Sequence, residues 1–230
     1  MTPTTETPPP VIEAATYTQR VLHLLQLLAR GHSPLLLTAR SLHGFAEAGL
    51  SVAPDPRHLP AVLLDWLTEG TWQIRATIGT STAGGLPAEL TGLAALWKVE
   101  GECTEASGWR HRVTAAAQER IRTALASFSL PPGFLIDAGH EQWAFWPLAE
   151  PLHIPAGDVA PAVALQEALG QRLGSHLAAR QSLVATYPIA GCIRSWNNNP
   201  VDHVDVHLSA PTGTTYTIEQ LQAALALEAK

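Results

Sequence analysis

The segment Phe134-Leu-Ile-Asp-Ala-Gly-His-Glu-Gln-Trp-Ala-Phe-Trp-Pro-Leu148 constrains the fold more than any other. It reads as a buried strand, a Gly-containing turn and a second strand, because apolar and aromatic runs flank Ala138-Gly139-His140. Trp143 and Trp146 lie three apart, so on a strand they face opposite sides. At least one is then a core residue. The other is either a second core residue or a platform on which a base could stack.

Helices and strands alternate around this segment. Tyr17 to Arg30 places Tyr17, Val21, Leu24, Leu25 and Leu28 at helical spacing, with Gly31 as a stop. Leu35 to Thr38 is a short strand, Pro60 to Glu69 a helix ended by Gly70, and Trp72 to Ile78 a strand. Gly79 to Gly85 reads as a flexible loop and Leu93 to Val99 as a central strand. Arg110 to Phe128 is a helix whose stripe is Val113, Ala117, Ile121, Leu125 and Phe128, ended by Pro131-Pro132-Gly133. Asp158 to Arg180 carries Leu165, Leu169, Leu173 and Leu177 on another helix. Leu183 to Tyr187 and Val201 to Leu208 are strand candidates, and Thr217-Ile-Glu-Gln220 is a capping box opening the last helix. The expected class is α/β (α+β), with a mixed central sheet flanked by helices. Residues 1–16 are expected to be a disordered leader, and residues 17–230 one folded unit.

Bulk properties exclude several functions. Charged residues are 15% of the chain, mean hydropathy is +0.07 and formal net charge is −6, so the chain is globular without being a broadly basic duplex binder. Cys103 and Cys192 make no CxxC or zinc spacing and fit reduced thiols of a cytoplasmic protein. No apolar run is long enough to span a bilayer. There is no phosphate-binding P-loop, no GxSxG and no GxGxxG on a strand-to-helix turn.

The order of elements resembles the archaeo-eukaryotic primase family of plasmid and phage replication proteins. Three segments carry the likeness: Leu93 to Glu102, Ala138 to Leu148, and Ile189 to Ser195. The resemblance implies a primase-polymerase fold with an RRM-like core. It also implies two aspartates on the first segment, Ser-Gly-Gly-Gly then a phosphate-contacting histidine on the second, and an Arg-Leu-Pro-Gly-Thr-x-Asn block on the third. This chain departs from all three. Val99 and Gly101 stand at the aspartate positions, Ala138 at the serine, Trp143 at the histidine, and Pro188, Cys192 and Arg194 in the third block.

Polymerase chemistry needs paired carboxylates holding two divalent ions. Glu100 and Glu102 alternate and could serve with Mg²⁺ or Mn²⁺, but sit one residue out of phase, which turns a strand residue to the opposite face. If the chain is active, the catalytic set is Glu100, Glu102 and His140, with the two glutamates as metal ligands. Candidate contacts to nucleic acid or nucleotide are Arg110, Arg112, Arg120, Arg122, Trp143 and Arg194; a solvated helix face and an Asn-rich turn are the plainer readings of these cations. His203, Asp205 and His207 share one face if Val201 to Leu208 is a single strand, yet span too far to close on one ion unaided. The favoured reading is a catalytically impaired primase-like domain binding single-stranded or primed DNA, working with a replication helicase or a catalytic partner. An active divergent primase-polymerase and a protein-interaction domain reusing the fold are the alternatives.

Overall fold

The computed structural model describes residues 14–30, 34–41, 47–54, 56–69, 72–77, 79–81, 87–98, 101–102, 112–113, 115–138, 141–155, 158–177, 186–189, 193–195, 203–205, 207–209 and 211–228. In chain order the elements are α1 (Ala14–Leu28), β1 (Leu35–Ser41), β2 (Glu47–Val52), α2 (Ala61–Glu69), β3 (Trp72–Thr77) and β4 (Gly79–Ser81). Next come β5 (Pro87–Lys98), β6 (Gly101–Glu102), β7 (Arg112–Val113), α3 (Ala115–Ala126), β8 (Phe134–Asp137) and β9 (Glu141–His153). The chain closes with α4 (Ala160–Leu173), β10 (Thr186–Pro188), β11 (Ile193–Ser195), β12 (His203–Asp205), β13 (His207–Leu208) and α5 (Ile218–Glu228).

The α+β class is as expected, but the strands divide between two principal antiparallel sheets instead of one mixed sheet. One has the order β10-β3-β1-β2 and the other β13-β8-β9-β5-β4; β6-β7 and β11-β12 are separate two-stranded ribbons. The segment from Phe134 to Leu148 supplies the two expected strands, paired antiparallel, with Phe134 opposite Phe145 and Ile136 opposite Trp143. β5 then pairs along most of β9, from Lys98↔Glu141 to Glu89↔His153, with an irregularity between Leu90 and Gly92.

Two cores follow from period 2 on these strands. Ala94, Leu96, Trp143, Phe145, Phe134 and Ile136 face a core shared with the first sheet and α1, where Leu24, Leu25, Leu28, Leu37, Ile74 and Tyr187 lie buried. Leu93, Ala95, Trp97, Ala144, Trp146 and Leu148 face a second core, under Ile121 of α3, Leu165 and Leu169 of α4, and Leu221 of α5. Trp143 and Trp146 therefore do face opposite sides, and both are core residues.

Local signals account for most ends. Thr217 and Gln220 form the capping box of α5: the Gln220 N–H donates to Thr217 Oγ1 at 3.2 Å, and the Thr217 N–H to Gln220 Oε1 at 2.8 Å. Gly174 ends α4 in the left-handed conformation at φ 61°, which a Cβ would disfavour. Several boundaries differ from expectation. α3 begins at Ala115, because Arg112 and Val113 belong to β7. Val201 to Leu208 is broken into β12, which pairs with β11, and β13, which pairs with β8. His203 and Asp205 thus lie in one sheet and His207 in another. Gly79 to Ser81, expected as loop, pairs with β5. Among the described residues no helix is long and apolar enough to cross a membrane.

Candidate functional site

The end of β5 is held from outside its sheet. Among the described residues β4 pairs with β5 only between Pro87 and Leu90, so no strand pairs with that edge from Ala94 onward, and an open edge invites wrong pairing. α4 and the residues after it cover that edge. Fully buried Gln166 accepts from the Ala94 N–H at 3.1 Å and donates to the Ala94 carbonyl. Ser175 Oγ accepts from the Leu96 N–H at 3.0 Å, and the Leu96 carbonyl accepts from the His176 N–H at 2.7 Å. His176 Nδ1 accepts from the Lys98 N–H at 2.9 Å. The Trp97 indole N–H donates to the Leu173 carbonyl at 3.1 Å. β5 is thereby fixed up to Lys98, the residue from which the carboxylate-bearing segment departs.

Glu100 and His140, two of the three candidate catalytic residues, lie outside the described residues, as does Arg110. Glu102 is placed in β6, where the register sets Arg112 directly opposite it. It belongs to a ribbon separate from β5 and β9. Among the described residues there is no group of three His, Cys, Asp or Glu side chains close enough to hold a metal ion.

Trp143, at the position where the resembled family carries histidine, is 2% exposed. Its ring lies nearly parallel to Phe145, with centroids 6.1 Å apart and planes 11° apart, and is tilted against Tyr187 at 6.1 Å. Phe145 stacks on Phe134 at 4.5 Å and meets Tyr187 edge-on at 4.5 Å. The Trp143 indole N–H donates to Glu141 Oε2 at 3.3 Å. Trp143 is therefore a core residue, and its edge lines a cavity of about 330 Å³ together with Trp97, Asp137 and Gln142. Tyr187 lies on β10 in the first sheet, donates its hydroxyl to the Thr77 carbonyl at 3.2 Å, and has its phenol pushed well above the usual tyrosine range by burial. Sequence reasoning singled out neither Tyr187 nor Gln166, since each acts across more than seventy residues of chain.

The cationic candidates separate. Arg122 is ion-paired with Glu119 one turn earlier on the exposed side of α3. Arg120 is also exposed but lies over a cavity of about 300 Å³ that Lys98 and His176 also line. Arg112 and Arg194 are placed as strand residues of β7 and β11. The third block therefore supplies the β11–β12 ribbon, with Arg194 opposite Val204.

Two antiparallel sheets back to back around a shared core, with β5 and β9 at the centre of the second, define the fold of the primase-polymerase domains. The archaeo-eukaryotic primase domain of the cyanophage S-2L primase-polymerase superposes on the chain with a TM-score of 0.56 and 17% identity, over 90% of this chain and 97% of that one. The primase RepB′ superposes with a TM-score of 0.52 and 12% identity, over 92% of this chain and 62% of RepB′. No protein-family model and no curated protein sequence matches the chain.

Proposed function

We propose that the chain is a diverged primase-like domain of mobile-element DNA replication that acts in the cytoplasm, binds single-stranded or primed DNA or a nucleotide, and extends no primer. The burial of Trp143 carries this reading. A group that meets a nucleotide phosphate has to present a donor or a positive charge to the cleft. An indole 2% exposed, walled by Phe145 and Tyr187 and already bonded to Glu141, presents neither.

The fold, kept while these groups are lost, favours retained binding. With a net charge of −6, binding rests on local cations such as Arg120, Arg112 and Arg194, so it depends steeply on salt. Such a domain works beside a replication helicase or a catalytic primase. Fluorescence anisotropy with labelled single-stranded DNA, at low and at moderate salt, tests the binding half. Binding that weakens as salt rises is expected. No binding, or binding indifferent to salt, would leave a protein-interaction domain as the better description.

A further inference from the structure

Resting on the binding reading above, we infer that the cavity between α3 and the end of α4 is a phosphate site for a nucleotide unit. The cavity is about 300 Å³, at the small end of the ~300–1,000 Å³ typical of ligand pockets. Its floor is apolar: Trp97 and Ile121 belong to the second core. Its rim carries Lys98, Arg120 and His176, all exposed, and no carboxylate lines it.

Three observations make the rim a donor set. Arg120 and Ala117, Ile121 and Ala124 lie at spacings of three and four on α3, so the arginine flanks the apolar stripe that covers the cavity. Arg122, on the other side of that helix, is instead satisfied by Glu119. His176 accepts the Lys98 N–H at Nδ1, which leaves the proton of its neutral ring on Nε2 as a further donor. A helix C-terminus ordinarily repels anions. Here three of its carbonyls are occupied: Leu173 by the Trp97 indole, Gly170 by the Ser175 N–H at 2.8 Å and Gln171 by the Gly174 N–H at 3.4 Å. Cations beside an apolar floor suit a phosphate, from a free nucleotide or from a single strand.

The full chain, labelled with ¹⁵N, is titrated with inorganic phosphate, thymidine monophosphate and a dodecathymidylate strand, following the Trp97 indole and Gly174 amide resonances. Both resonances should shift with the nucleotide or with the strand. The double variant Lys98→Gln/Arg120→Gln should bind at least tenfold more weakly, with an unchanged thermal melt. Shifts with the monophosphate identify a free-nucleotide site, and shifts with the strand alone identify backbone contact. Strand binding that is undiminished in the variant and leaves Trp97 unmoved overturns the site while the binding reading stands. Failure of the wild-type chain to bind either the monophosphate or the strand removes both.

Discussion

Trp143 of the five-stranded sheet and Tyr187 of the four-stranded sheet meet with ring centroids 6.1 Å apart, in the core the two sheets share. The contact joins the strand-turn-strand frame to the strand that opens the third block.

Removing Trp143 should therefore act on stability. Truncating a buried tryptophan costs about 3–5 kcal/mol through lost burial and the cavity left behind. Trp143→Ala is expected to lose that much in urea denaturation. Trp143→His, which restores the family's residue, should also be destabilised, because a polar ring would be desolvated among Phe145, Phe134 and Tyr187. A Trp143→His chain as stable as wild type would mean that this position opens to solvent.

Tyr187 gives the fold an alkaline limit. Burial raises its phenol above the unfolded value of about 10. Its contribution to stability is fully present below that pH and is lost as pH rises toward the folded value, because the unfolded chain alone releases the proton. Tyr216, raised in the same direction by burial, adds to the effect. Tyr187→Phe should lose about 1 kcal/mol at pH 7 with the hydroxyl's bond to Thr77, yet decline less steeply above pH 10. Chemical denaturation at pH 7, 9 and 10.5 measures both; parallel decline in the two proteins would reject this role for Tyr187.

Much of this frame is legible in the chain, and what is missed has physical reasons. The two strands flanking Ala138, the Leu165, Leu169 and Leu173 stripe of α4 and the Thr217 cap are local patterns and are present, whereas α4 ends at Leu173 and Leu177, expected on the same helix, lies beyond it in the other core. β2 escapes because Glu47 to Val52 is a short edge strand with small and polar residues, defined by pairing with β1 alone. The edge cover of β5 escapes because Gln166 meets Ala94 across 72 positions of sequence. Arg112 reads as helix from its neighbours, but pairs opposite Glu102. Of the candidate site residues, Trp143 is placed in the core and Arg120 over a cavity, whereas Glu100, His140 and Arg110 lie outside the described residues.

The cover of β5 is open to direct test. Gln166→Leu keeps the volume but leaves the Ala94 N–H and carbonyl buried without partners, which costs roughly 1–3 kcal/mol for each group unsatisfied. Thermal melts should show the loss, and hydrogen exchange should speed up at Ala94. Unchanged exchange there would show that another group takes over the edge.

Gly133 makes a close approach of backbone to side chain. A Cβ there would lie 2.7 Å from Pro147 Cδ and 3.0 Å from the Thr214 carbonyl. Gly133→Ala should cost about 1–3 kcal/mol through overpacking beside β9. A denaturation midpoint equal to wild type would show that Pro147 yields without strain.

Primer extension tests the central claim most directly. The chain is incubated with a primed template, deoxynucleotides and Mg²⁺ or Mn²⁺, beside Glu100→Ala and Glu102→Ala. No template-directed product is expected from any of the three. Extension by the wild-type chain that disappears in both variants would contradict the account, and would make Glu100 and Glu102 the metal-binding pair of an active polymerase.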